Sequence, residues 1–230
     1  MEAIVMAAGE GRRLRPVTER WPKPVLPVDG RPVISTLLHE VRRAGCDHAT
    51  VVTGHLAEKV EGLLGDGSAY GVELRYAHQP RADGSADAVV RALAAGAEPP
   101  ALVTVADTVY RPGAVAGFAS AFAESRAAGA VAVRESGGMG GIGLEVDAGF
   151  VTGIGGEAGA FVHAALWALG SELTRYLDGL DGPPYELADA YRRAIRDGLQ
   201  IPAFDVGPTR DLTDALDLVQ ENFVYLSGVE

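Results

Sequence analysis

Short apolar runs alternate with amphipathic stretches through the first half of the chain, and this rhythm constrains the fold more than any other feature. Continuous apolar runs suit strands buried on both faces, and the amphipathic stretches between them suit helices that cover a sheet, so the pattern is that of βαβ units building a parallel sheet. Strands are predicted at 3–6, 48–53, 72–77 and 102–106. Between them, 33–44 carries Val33, Ile34, Leu37, Leu38 and Val41 at helical spacing and stops near Gly45, while 85–95 places Ala88, Val89, Ala92 and Leu93 on one stripe. Two alternating runs, 142–146 and 150–154, flank Asp147, Ala148 and Gly149 and predict a hairpin. Helical signals return at 185–196 and 212–223, with a short strand at 201–204 between them. The expectation is an α/β fold in a single domain spanning 1–230, since no internal repeat or long linker divides the 230 residues.

A formal net charge of -11 opposes binding to nucleic acid or an anionic membrane, which require a basic surface. A polyphosphate ligand would then need a local cationic cluster. Cys46 is the only cysteine, so no internal disulfide is available and a reducing cytoplasm is expected; 1–8 lacks the basic start and apolar length of an export signal. Nothing in the sequence fixes an oligomeric state.

The cationic cluster lies directly after the first predicted strand, in Ala7, Ala8, Gly9, Glu10, Gly11, Arg12, Arg13, Leu14, Arg15, Pro16, followed by Trp21, Pro22, Lys23, Pro24. A glycine-rich turn lets backbone N–H groups approach phosphate oxygens, and arginine and lysine supply charge-assisted bonds to the same oxygens. Two common phosphate motifs do not fit. The dinucleotide fingerprint needs a third glycine where Leu14 stands and a helix where Pro16, Pro22, Pro24 and Pro27 forbid one, and the Walker A string occurs nowhere.

The string AAGEGRRLRP with PKPVLPV resembles the signature of the sugar-phosphate nucleotidyltransferase family (NDP-sugar pyrophosphorylases), GxGxRLxPxTxxxPKPxLP. Arg13 and Leu14 fall on its RL, Pro16 and Thr18 on PxT, and Pro22, Lys23 and Pro24 on PKP; Arg12 stands where such proteins usually carry Thr or Ser. The resemblance implies a Rossmann-like nucleotidyltransferase fold with a mixed, mostly parallel sheet flanked by helices. It also implies Arg13 and Lys23 as catalytic residues, and Ala8, Gly9, Gly11 and Arg12 as nucleotide-binding residues.

Further matches keep the family's order. Gln79 and the stretch Gly84, Ser85, Ala86, Asp87, Ala88 look like the Gln and GTA-type element that contact a pyrimidine base. A Gln amide can both donate and accept at a base edge, and Gly84 would let a flat base lie close to the backbone. Asp107 resembles the family's metal aspartate, with Ala106 in place of the usual glycine, and Asp205 in AFDVGPTRDL resembles its second metal ligand. Two carboxylates with phosphate oxygens and waters would suit Mg²⁺. Glu157 resembles the glutamate of the acceptor-binding EKP element, but Ala158 stands where its lysine belongs. Between Glu135 and Arg175 the remaining candidate cation is His163, and Phe161 and Trp167 offer aromatic surface, for a ligand or for the core.

The resemblance implies a Mg²⁺-dependent transfer from UTP, dTTP or CTP to a small phosphorylated acceptor, such as a sugar 1-phosphate, with release of pyrophosphate. Two alternatives stay open: a CTP-dependent cytidylyltransferase acting on an alcohol phosphate of the phosphocholine or inositol phosphate type, and a non-catalytic nucleotide-sugar sensor.

Overall fold

The computed structural model describes residues 1–136, 141–156 and 159–223. Glu157 and Ala158 lie outside these residues, so the acceptor-binding expectation for Glu157 has no structural counterpart below.

The chain opens with β1 (Glu2–Ala7), and after a long loop the short β2 (Pro27–Val28) and β3 (Arg31–Pro32) lead into α1 (Val33–Arg43). Then come β4 (His48–Thr53), α2 (Ala57–Leu64), β5 (Glu73–His78), α3 (Ser85–Ala94), β6 (Ala101–Val105) and β7 (Thr108–Val109). The second half contains α4 (Ala114–Ser125), β8 (Gly129–Glu135), the hairpin β9 (Gly143–Asp147) and β10 (Phe150–Ile154), and the nine-residue β11 (Phe161–Leu169). It continues with α5 (Leu187–Arg196), β12 (Ala203–Asp205), β13 (Arg210–Asp211) and α6 (Ala215–Asn222).

Nine strands form one mixed sheet. β1 lies between β4 and β6, parallel to both, and β5 extends the parallel part beyond β4. β11 runs antiparallel to β6 along its second half and to β9 along its start, while its other edge pairs with β8; β12 then joins β8 in parallel. The interruption falls between His163 and Trp167, where Ala165 takes a φ of 57° and the register shifts.

Both faces of this sheet are covered, which is why its central strands β1, β4 and β6 are largely apolar. Along β1 the alternation is direct: Ile4 joins the core under α3 and α5 with Val89, Trp167 and Tyr191, whereas Ala3, Val5 and Ala7 join the core under α1 and α4 with Leu38, Val41 and Phe118. The predicted stripe of α1 is buried, from Val33 through Val41. The hairpin predicted at 142–154 forms, but it extends the sheet as an edge. It contributes no residue to the lining of the cavity described below. The last helix begins at Ala215 rather than 212 because Asp214 caps it, accepting from the backbone N–H groups of Leu216 and Asp217.

Candidate active site

At the carboxyl ends of β1 and β6 the sheet opens into a cavity of about 390 Å³. Strand ends of an open α/β sheet are where backbone and loop groups converge without closing the space between them.

The wall after β1 is the glycine-rich loop. Its prolines prevent a regular helix, and the chain runs instead through three single 3₁₀ turns, Arg12–Leu14, Val17–Glu19 and Lys23–Val25. Leu14 and Leu26 anchor this loop in a small separate core with Val28, Val33 and Leu212. Gly11 takes a φ of 61°, and a Cβ there would meet Thr18 Cγ2 at 2.9 Å; the Thr18 hydroxyl donates to the Gly11 carbonyl at 2.9 Å. Turn and anchor together leave Ala8, Gly9, Gly11, Arg12, Arg13 and Lys23 lining the cavity.

The cations of the loop differ in their partners. Arg12 is held by Glu10 at 2.8 and 3.2 Å on the exposed surface, and Arg15 reaches the same carboxylate at 3.3 Å. The Arg12 hydrogen bond and charge hold the Glu10 carboxyl below its usual pKa. Arg13 forms no ion pair with a carboxylate of the described residues. Lys23, largely buried, forms an ion pair with Asp107, which also lines the cavity just beyond β6.

The opposite wall carries Gln79, Gly84 and Ser85. Gln79 is buried, and its Nε2 donates to the Gly84 carbonyl at 3.0 Å and to Asp87 Oδ2 at 2.8 Å. Ser85 is engaged elsewhere: its hydroxyl donates to Glu186 Oε2 at 2.5 Å and accepts from the Leu187 N–H at 2.8 Å at the start of α5. Gly84, with φ 110°, has a steric reason to be glycine apart from any ligand, since a Cβ there would lie 2.2 Å from the Tyr185 carbonyl oxygen.

The two expected metal carboxylates are placed differently. Asp107 is in the cavity lining. Asp205 ends β12, is exposed, accepts from the Gly207 N–H at 2.8 Å, and is not among the lining residues. Near Asp107 the structure instead brings up Asp211, on β13 opposite Thr108, which donates to it at 2.5 Å. Although Asp211 as a residue is exposed, crowding around its carboxyl raises the pKa and the charge of Asp107 adds to the rise, against the Thr108 hydrogen bond. No group of three or more His, Cys, Asp or Glu side chains converges among the described residues.

Beyond Asp107 lie polar groups that the sequence did not single out. Arg134, near the end of β8, is buried, and its Nε has no partner among the described residues; the Thr209 hydroxyl is likewise buried and unpartnered. A lone arginine after the apolar run 129–133 was the available signal for the first. His163 is not the cation that its position suggested. Burial lowers its pKa to about 3; it stacks on Trp167 with ring centroids 4.1 Å apart, and Nδ1 accepts from the Ala165 N–H, which leaves the proton of the neutral ring on Nε2. Trp167 in turn packs on Tyr191 within the core, 4% exposed.

Comparison with known proteins adds sequence and fold relatives to this geometry. The family profile described as Nucleotidyl transferase matches residues 2–141. Over 80 residues the chain is 42% identical to the N-acetylmuramate alpha-1-phosphate uridylyltransferase of Neisseria meningitidis serogroup B, a stretch that covers 35% of each protein's length. Among solved structures, a UDP-glucose pyrophosphorylase complexed with UDP-glucose superposes with a TM-score of 0.83 at 19% identity, covering 100% of both chains. The inositol-1-phosphate CTP transferase from T. maritima superposes at 0.82 and 19%, covering 100% of this chain and 97% of that one. At such identities the two structures speak for the fold.

Proposed function

Because the chain belongs to the nucleotidyl transferase family, and within it to the sugar-phosphate nucleotidyltransferases, we propose that it joins a pyrimidine nucleoside triphosphate to a sugar 1-phosphate and releases pyrophosphate. The observation that carries this reading is one cavity lined at once by Arg12, Arg13 and Lys23 of the glycine-rich loop, by Gln79, and by Asp107. The 1–230 chain acts as one nucleotidyltransferase domain in this reading, in the cytoplasm.

An oxygen of the acceptor phosphate attacks the α-phosphorus of the triphosphate; the new O–P bond forms as the bond to the β-phosphate oxygen breaks, and the pair of electrons leaves with pyrophosphate. A phosphate monoester is largely dianionic near neutral pH, its second pKa being about 6, so the protein need not supply a general base. Its task is positioning and charge stabilisation. Lys23 leaves Asp107 to hold the α-phosphate and the acceptor phosphate near one another, while Arg13, assisted by Arg12, stabilises the departing pyrophosphate. Asp107 would hold Mg²⁺, with Asp205 as the second carboxylate on the strength of the family resemblance; bound there, the ion supplies charge neutralisation at the reacting phosphates. His163 and Trp167 pack in the core and do not line the cavity, so they play no part in selecting the acceptor.

A second reading, cytidylyl transfer to an alcohol phosphate, draws on the likeness to the inositol-1-phosphate CTP transferase and shares every step except base and acceptor. The test is a pyrophosphate-release screen of nucleoside triphosphates against N-acetylated sugar 1-phosphates, glucose 1-phosphate, inositol phosphate and phosphocholine, with and without EDTA. Turnover should require Mg²⁺ and a pyrimidine triphosphate. Full activity in EDTA would remove the metal from the mechanism, and silence across the panel would favour a nucleotide-sugar sensor.

A further inference from the structure

Gln79 is held by more than its own backbone. Its Nε2 faces two groups that can only accept, the Gly84 carbonyl at 3.0 Å and Asp87 Oδ2 at 2.8 Å, and turning the amide over would set oxygen against oxygen at both. Asp87 is itself fixed by Arg91, four residues on along α3, whose Nε donates to the same Oδ2 at 2.6 Å and whose guanidinium also reaches the His78 carbonyl at 3.2 Å. Burial alone would raise the Asp87 pKa, but the hydrogen bonds from Arg91 and Gln79 outweigh it and keep the carboxyl below its ordinary value, so it is an ionised acceptor at neutral pH. Both N–H bonds of the Gln79 amide are therefore committed inside the protein. Its Oε1 accepts nothing from the described residues and is not among the buried unpartnered atoms, so it is left to the cavity that Gln79 lines.

We propose that Asp87, braced by Arg91, is a positioning residue that turns the Gln79 oxygen toward the base, so that the pocket selects a base with a ring N–H on its pairing edge and, among pyrimidines, uracil or thymine over cytosine. This rests on the reading of the cavity as a nucleoside triphosphate site with Gln79 against the base. Uracil and thymine present N3–H between two carbonyls and match an acceptor. Cytosine presents an unprotonated N3, which would set lone pair against lone pair; it reaches Oε1 only through its exocyclic amine, with the ring moved along by one edge atom. A Gln free to rotate would serve either base, and the carboxylate removes that freedom.

The test is calorimetric binding of UTP, dTTP, CTP, GTP and N3-methyl-UTP to the full chain without acceptor. UTP and dTTP should bind about tenfold to a hundredfold more tightly than CTP, the scale of one mismatched hydrogen bond at a buried group. N3-methyl-UTP should lose at least as much as CTP, and that comparison needs no variant. Asp87→Ala removes the acceptor and leaves only the Gly84 carbonyl facing the amide, allowing it to turn; the UTP-to-CTP ratio should then fall to about threefold or less, a change in preference that a purely structural role would not produce. Equal binding of UTP and CTP by the wild type, undiminished binding of N3-methyl-UTP, or an unchanged ratio in a folded Asp87→Ala protein would each overturn the proposal. GTP binding as tightly as UTP would support ring N–H reading and overturn the pyrimidine assignment instead. Absence of binding by every triphosphate would overturn both.

Discussion

The loop after β1 and the polar cluster beyond Asp107 are both charged, but they handle charge in opposite ways. In the loop the cations are exposed or face the cavity, and their partners are replaceable: Glu10 for Arg12 and Asp107 for Lys23. The Glu10–Arg12 pair, on the surface, contributes little to stability, so exchanging its carboxylate for a phosphate costs little. In the cluster, Arg134, Thr209 and the His163 ring hold buried polar atoms without partners among the described residues, and each such atom carries a desolvation cost of about 1 to 3 kcal/mol. The first region keeps its charges at the surface or facing the cavity, whereas the second keeps its polar atoms buried.

The largest effect should come from the point where the two regions meet. Lys23→Ala removes the cation that now sits on Asp107, and kcat should fall by roughly a hundredfold or more, the scale of losing one preorganised charge stabiliser. Steady-state kinetics decide it: a Lys23→Ala enzyme with near-normal kcat and only a raised KM would make the loop a binding device and end its catalytic role.

A smaller effect should expose the buried side. The pKa of His163 in the folded protein, about 3, lies below the ordinary histidine value of about 6.5 expected in the unfolded chain. The unfolded chain therefore takes up a proton first as pH falls. The stability linked to His163 is fully present above pH ~6.5 and declines as pH drops toward ~3, by at most about 1.4 kcal/mol per pH unit. Between pH 6.5 and 5, wild type should lose up to about 2 kcal/mol more than His163→Gln in urea titrations. Parallel slopes for the two proteins would mean that the ring is solvated or partnered after all.

The same contrast explains what could be read from sequence. The loop's residues are close together along the chain, so spacing and resemblance brought Arg13, Lys23, Gln79 and Asp107 to attention, and the structure places them around one cavity. α1 and β4 were legible because a clean 3.6-residue stripe and a β-branched run each have one interpretation. β11 was not: FVHAALWAL is apolar apart from His163, and such a run does not distinguish a buried strand from a buried helix. α4, AVAGFASAFAES, is too rich in small residues to show a strong stripe. Arg134 was not singled out in the sequence, and its burial is seen only in the folded strand β8. Asp87 lay in plain view inside a motif, but its role depends on which way the Gln79 amide points, and only the hydrogen bonds show that.

The smallest effect should come from Glu10, and it tests whether the loop's carboxylates are placeholders. Glu10 is ionised at neutral pH, because the Arg12 hydrogen bond keeps its pKa low, and it occupies the guanidinium that the mechanism assigns to pyrophosphate. A triphosphate must displace it or share Arg12 with it. Glu10→Gln removes the competing charge and leaves the Gly9 to Gly11 backbone unchanged, so KM for the triphosphate should fall about twofold to fivefold at low salt, with kcat little altered, as expected for an interaction made equally in ground and transition states. Salt should erase the gain, since both side chains are exposed and their interaction is screened over about 10 Å at 0.1 M ionic strength. A KM that rises in Glu10→Gln would mean that Glu10 orients Arg12 for phosphate, making the pair a fixed part of the cradle instead of a placeholder.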